Sequence, residues 1–165
     1  MKMDFLKRAA VIAIAMIMSV AAYSQSQGDK AVGGNLVIGM GDSYTNVGIG
    51  AKFFYNVTDP IRLAGEFDYF LKKDNTSWWD FSVYGHYLFP VADEVVIYPS
   101  LGLGAIGFTS KWGRETYSDS RFAVSLGGGA DYELSSNLAL TGELRIKIFE
   151  NSNRINLAIG LAYKF

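Results

Sequence analysis

Cysteine is absent from the 165 residues. Disulfides, thiolate metal sites, cysteine nucleophiles and an acylated N-terminal cysteine are thereby excluded. The chain has one histidine and three prolines. A lone imidazole without thiols falls short of the ligand set of a transition-metal centre. Charge is scarce too: Asp, Glu, Lys and Arg make up 19% of the residues, against roughly 25% in an average soluble domain. The net charge of −1 presents no basic surface to nucleic acid. No apolar run reaches the about 20 residues of a membrane helix, and no segment after residue 30 carries a helical period.

What the chain has in excess is glycine, with 18 residues, and aromatics, at 15%. The mean hydropathy of +0.14 is too high for a disordered chain.

Lys2, Lys7 and Arg8 make a basic start, diluted by Asp4, and Ala9–Ala22 then forms an uncharged run of fourteen residues. The pattern is that of a secretory signal peptide. Small residues at Ala22 and Ser24 predict cleavage before Gln25. Residues 1–24 are thus expected to be a leader, 25–30 a short lead and 31–165 one domain. Removing three cations and one anion takes the net charge from −1 to −3.

The body alternates with a period of two, the mark of strands with unlike faces. In the stretch from Ile61 to Lys72 one parity reads Ile, Leu, Gly, Phe, Tyr, Leu and the other Arg, Ala, Glu, Asp, Phe, Lys. Leu138, Leu140, Leu144, Ile146 and Ile148 oppose Thr141, Glu143, Arg145 and Lys147. Eight such segments follow one another, the one from Val32 to Met40 being the faintest. Short links at 56–60, 90–94 and 135–137 alternate with connections at 41–45, 73–77, 109–120 and 150–153. This predicts an all-β, eight-stranded antiparallel up-and-down barrel.

Periodicity does not say which face points inward; three features do. The polar parity carries Gly48, Gly50, Gly102, Gly104, Gly127, Gly129, Ala158, Gly160 and Ala162. Glycine weakens a strand and has no use on an exposed face, whereas the interior of an eight-stranded barrel is crowded. Aromatics on the apolar parity collect at strand ends: Tyr55, Tyr69, Trp79, Tyr87, Phe89, Phe122, Tyr132, Tyr163 and Phe165. Such rings suit the two membrane–water interfaces. Finally, tilted strands of about 11 residues span roughly 25 Å, the height of the apolar band of a membrane barrel. The polar face is therefore expected inside and the apolar face against lipid. The expected interior charges balance, with Lys52, Arg62, Lys72, Arg145, Lys147 and Lys164 against Glu66, Asp68, Asp80, Asp131, Glu133 and Glu143. Buried charges need partners, so a closed plug is expected, with Lys52, Glu66, Glu143 and Arg145 at its centre.

From Ala31 to Phe165 the chain resembles the small eight-stranded outer-membrane barrels of the OmpX and OmpA-barrel type. The segment Gly160-Leu161-Ala162-Tyr163-Lys164-Phe165 is similar to the family's C-terminal assembly signal, through Gly160, Tyr163 and Phe165. Ala158 stands where the family often has a polar residue. The resemblance implies a Gram-negative outer-membrane location, outer-membrane lipid and lipopolysaccharide as surroundings, the barrel-assembly machinery as partner, a monomer, and a structural or surface-interaction role such as adhesion or envelope integrity. Unlike in full-length OmpA-type proteins, no peptidoglycan-binding domain is expected after the barrel, so wall anchoring is not implied. A small-solute porin, a lipid-modifying enzyme and a secreted soluble barrel are the alternatives.

Residues that could carry chemistry are few. Gly102-Leu103-Gly104-Ala105-Ile106-Gly107 matches G-x-G-x-x-G, but no helix follows to hold a pyrophosphate. His86 is followed by Tyr87-Leu88, not by the His-x-Ser of the deacylase relatives, and belongs to the short-link end of its strand. No catalytic residue, cofactor or metal is expected. Glu115 and Asp119 read as solvated charge. The longest connection, 109–120, carries Lys111, Trp112, Arg114 and Tyr117, residue types favoured at binding hot spots, and is the candidate surface for an extracellular ligand.

Overall fold

The computed structural model describes residues 26–165. The leader over residues 1–24 and its cleavage before Gln25 lie outside the described residues. Alternating segments become strands β1 (Lys30–Met40), β2 (Thr45–Asn56), β3 (Ile61–Lys73), β4 (Thr76–Tyr87), β5 (Phe89–Ala92), β6 (Val95–Trp112), β7 (Glu115–Glu133), β8 (Leu138–Phe149) and β9 (Ser152–Lys164). A one-residue break at Leu88 separates β4 from β5, and both pair with β6. They form one stave, so the barrel has eight. Each stave is antiparallel to the next, and β1 pairs with β9 from Ala31↔Lys164 to Met40↔Ile155, closing the sheet. Closure leaves the barrel wall without a free edge.

The faces follow the predicted parity. Leu36, Ile49, Leu101, Leu126 and Ile159 project outward, each more than half exposed, while Lys52, Asp68, Arg145 and Lys147 are buried inside. In water such an outer wall would be an aggregation surface; in a bilayer it is the solvent-matched face. Tyr55, Tyr87, Tyr132, Tyr163 and Phe165 ring the short-link end on the outside. The Tyr132 hydroxyl donates to Glu94 Oε2 at 3.0 Å, an apolar ring with a polar tip. Toward the other end Tyr69 and Trp79 are direct cross-strand partners.

The inward glycines admit close neighbours. A Cβ on Gly102 would stand 2.3 Å from Cδ1 of Tyr84, whose ring lies over it from β4. A Cβ on Gly104 would meet the Phe81 carbonyl oxygen at 2.1 Å.

Two expectations need correction. Lys72 is not an interior charge. The register of β3 shifts between Phe70 and Lys73, and this bulge breaks the period of two, leaving residues 71–73 all exposed at the rim. Residues 109–120 are not a loop. β6 and β7 stay paired from Thr109↔Ser118 to Trp112↔Glu115, β7 running past the end of its pairing with β8 at Ala123 and β6 accompanied by β4 as far as Ser110, so that the tip is a two-stranded ribbon. The signal was present in the sequence: Gly113-Arg114 is a two-residue hairpin turn led by glycine, and Gly113 has φ +62°.

Candidate functional site

The barrel interior is built in tiers. At the short-link end Leu88, Val96 and Tyr98 form a small apolar cluster. Beside it, Arg62 of β3 pairs with Asp131 of β7 at 2.6 Å and donates from Nε to His86 Nδ1 at 3.2 Å. The Arg62 guanidinium lies over the rings of Phe54 and Tyr98, 4.5 and 4.7 Å from their centroids. His86 stacks on Tyr98 at 4.5 Å. It is a buried acceptor in a cation–aromatic stack, and among the described residues neither a serine nor a carboxylate hydrogen-bonds to it.

The middle tier joins four charges. Lys52 Nζ lies 2.9 Å from both Glu66 and Glu143, and Arg145 Nη2 lies 2.8 Å from the same two carboxylates. Lys52 and Glu66 face each other across β2 and β3; Glu143 and Arg145 are successive inward positions of β8. The ring therefore braces one wall against the opposite one. Tyr98 donates to Glu143 Oε1 at 2.9 Å, and Arg145 lies over the Tyr84 ring at 4.3 Å.

The next tier centres on Asp80, which pairs with Lys147 and, at 2.7 Å, with Arg154. Ser82 donates to Asp80 at 3.0 Å, and Arg154 Nε donates to Asn156 Oδ1 at 2.9 Å. Asp68 accepts from Asn35 Nδ2 at 3.2 Å. Arg154 and Asn156, both fully buried, are the interior residues that sequence reasoning missed. Arg154 has the inward parity of Asn156, Ala158 and Lys164, but it falls between the expected link at 150–153 and the alternation that begins at Ile155. With Arg154 in place of Lys72, the buried Lys and Arg among the described residues number five (Lys52, Arg62, Arg145, Lys147, Arg154) and the buried Asp and Glu five (Glu66, Asp68, Asp80, Asp131, Glu143). Lys164 and Glu133 form a further pair, partly exposed, at the short-link rim.

The opposite mouth is apolar. Val37, Phe70 and Ala158 form one cluster and Ile106, Ala123 and Phe149 another, with Trp78 packed against both. Above them Tyr44, from the β1–β2 connection, stacks on Trp78 with ring centroids 5.7 Å apart. Burial raises the Tyr44 phenol above its ordinary pKa, so the hydroxyl stays protonated. The sequence-predicted hot-spot residues lie farther out on the ribbon. Trp112 is 78% and Tyr117 61% exposed, and Trp112 Nε1 donates to Ser110 Oγ at 3.1 Å. Asp119 pairs with Arg121 at 3.5 Å. The G-x-G-x-x-G stretch is strand throughout, inside β6.

A closed antiparallel barrel with an apolar wall and a paired-charge interior is a transmembrane β-barrel. The chain belongs to the outer membrane protein beta-barrel domain family, whose model matches residues 10–165. No curated protein matches the sequence. Among solved structures it is similar to Ail, the attachment invasion locus protein of Yersinia pestis, at 18% identity and TM-score 0.59, covering 84% of this chain and 99% of that one. Neisserial surface protein A aligns at 13% identity and TM-score 0.66, over 83% and 96% of the two chains. The N-terminal β-barrel domain of Pseudomonas aeruginosa OprF aligns at 16% identity and TM-score 0.65, over 86% and 100%. These likenesses show a shared fold.

Proposed function

We propose that this outer-membrane barrel is a closed, non-enzymatic scaffold that presents the β6–β7 ribbon at the cell surface for interaction with an extracellular ligand. The observation that carries this reading is the ribbon itself. Trp112 and Tyr117, with Lys111 and Arg114 beside them, are displayed on paired strands that continue the rigid wall. Ordering exposed aromatic and basic side chains in advance lowers the entropic cost of binding. Of the neighbours, Ail is named for attachment and invasion and has been solved with the heparin analogue sucrose octasulfate.

In this reading the short-link end faces the periplasm, the leader over residues 1–24 directs export, and the barrel works as a monomer among outer-membrane lipid and lipopolysaccharide. The outer face of β9, with Tyr163 and Phe165 exposed near Gly160, is the surface offered to the barrel-assembly machinery. Replacing residues 111–118 by a two-residue turn tests the proposal. Loss of surface adhesion with an intact, heat-modifiable barrel is the expected result. Unchanged adhesion and envelope phenotypes would remove the ribbon from the function.

A further inference from the structure

The outer mouth holds a cup that the charge plug and the ribbon tip leave unused. It has a volume of about 200 Å³ and is lined by Tyr44, Trp78, Ile106, Phe108, Phe149, Arg121 and Ser152. We infer that this cup binds a small molecule with one flat apolar ring and an acidic group, its ring held by Trp78, Phe108 and Phe149 and its anion by Arg121.

Size comes first. Sites for drug-sized ligands begin at roughly 300 Å³, so a cup of about 200 Å³ suits a single ring. Shape agrees: Trp78 is tilted 42° from Phe108 with centroids 5.1 Å apart, and Tyr44 stacks on Trp78 at 5.7 Å, so the lining is a group of rings at mixed angles. Offset and edge contacts with a third ring are the favoured arrangement for such walls. The floor is apolar, since Ile106 and Phe149 belong to one buried hydrophobic cluster.

The polar atoms define the charge of the guest. No Asp or Glu lines the cup, whereas Arg121 does. Its contact with Asp119 uses Nε alone, at 3.5 Å, and both side chains are well exposed, so the pair is weak and the remaining N–H groups are open to a carboxylate. The Tyr44 hydroxyl is buried and has no hydrogen-bond partner among the described residues. That hydroxyl is a donor on the lining awaiting an acceptor.

The test uses the full barrel in nanodiscs, with phenylacetate and phenylethanol as probes read by ligand-detected saturation-transfer NMR against empty discs. Phenylacetate should bind saturably, and Arg121→Gln should weaken it about tenfold, the worth of one charge-assisted contact. Phenylethanol, lacking the charge, should be unaffected by Arg121→Gln. Trp78→Ala should abolish both, and Ser136→Ala, in a short link, neither. A heat-shift gel checks the fold of each variant; if Trp78→Ala does not fold, the split between the two probes in Arg121→Gln decides. Absence of saturable phenylacetate binding, or equal binding by wild type and Arg121→Gln, overturns the inference. So does a preference for glucuronate or for an aromatic acidic peptide, which would make the cup a glycan or peptide subsite instead.

Discussion

Arg145 on β8 meets Glu66 on β3 at 2.8 Å across the lumen, though 79 residues separate them in sequence. With eight staves, β3 and β8 lie on opposite walls, so this bond ties the barrel across its width where the backbone ladder ties it only around the circumference. Both side chains are buried to within a few per cent. Removing one partner of such a pair leaves the others as uncompensated charges. Arg145→Ala should therefore cost about 3–5 kcal/mol, read as an earlier urea midpoint in lipid vesicles. Replacing Arg145, Lys52, Glu66 and Glu143 together by apolar residues of like size should cost far less than the single change. A neutral Arg145→Ala would show that the ring does not support the fold.

The glycines divide by what surrounds them. At Gly104 a methyl group would run into the Phe81 carbonyl oxygen, at 2.1 Å. That is backbone and cannot rotate away. At outward-facing Gly65 a Cβ meets nothing within 4 Å. Gly104→Ala should thus lower stability by roughly 1–3 kcal/mol through overpacking. Gly65→Ala should be neutral or stabilising by up to about 1 kcal/mol, since it restricts the unfolded chain. Paired urea titrations in vesicles would show the contrast, and equal effects would contradict the close inner approach of β4 and β6.

Placement of the outer face in lipid gives a sharp asymmetry. Leu101→Arg, outward and remote from both ends of β6, should destabilise the inserted barrel by about 2–4 kcal/mol. Trp112→Arg, at the ribbon tip, should not change stability measurably. Refolding yields into vesicles would separate them. Tolerance of Leu101→Arg would mean that this face does not meet hydrocarbon.

The interior should not conduct. Leu88, Val96 and Tyr98 cluster toward one end, Phe70, Ile106, Phe149 and Trp78 toward the other, and cross-lumen ion pairs lie between them. Eight staves leave a lumen just wide enough for side chains. Planar bilayers with purified protein should show no steady single-channel steps; steps of fixed size would indicate a porin role.

The sequence alone determined the strands and their faces, because a period of two states which residues share a side, and charge, glycine and ring placement state which side is wet. It also determined that interior charge must cancel. It did not determine which charge meets which. Side-chain partners across a lumen depend on how far each strand is staggered as the sheet closes, a property of the whole ring. Thus Arg154 was hidden at a turn boundary, and its bond to Asp80, 74 residues away, exists only because β9 and β4 face each other after closure. The same holds for Tyr44 and Trp78, whose stack caps the mouth. Lys72 shows the converse, since the bulge after Phe70 is a local break in register that alternation cannot announce. Only the tertiary structure decided these, because closure brings opposite walls within reach of side chains that no local pattern relates.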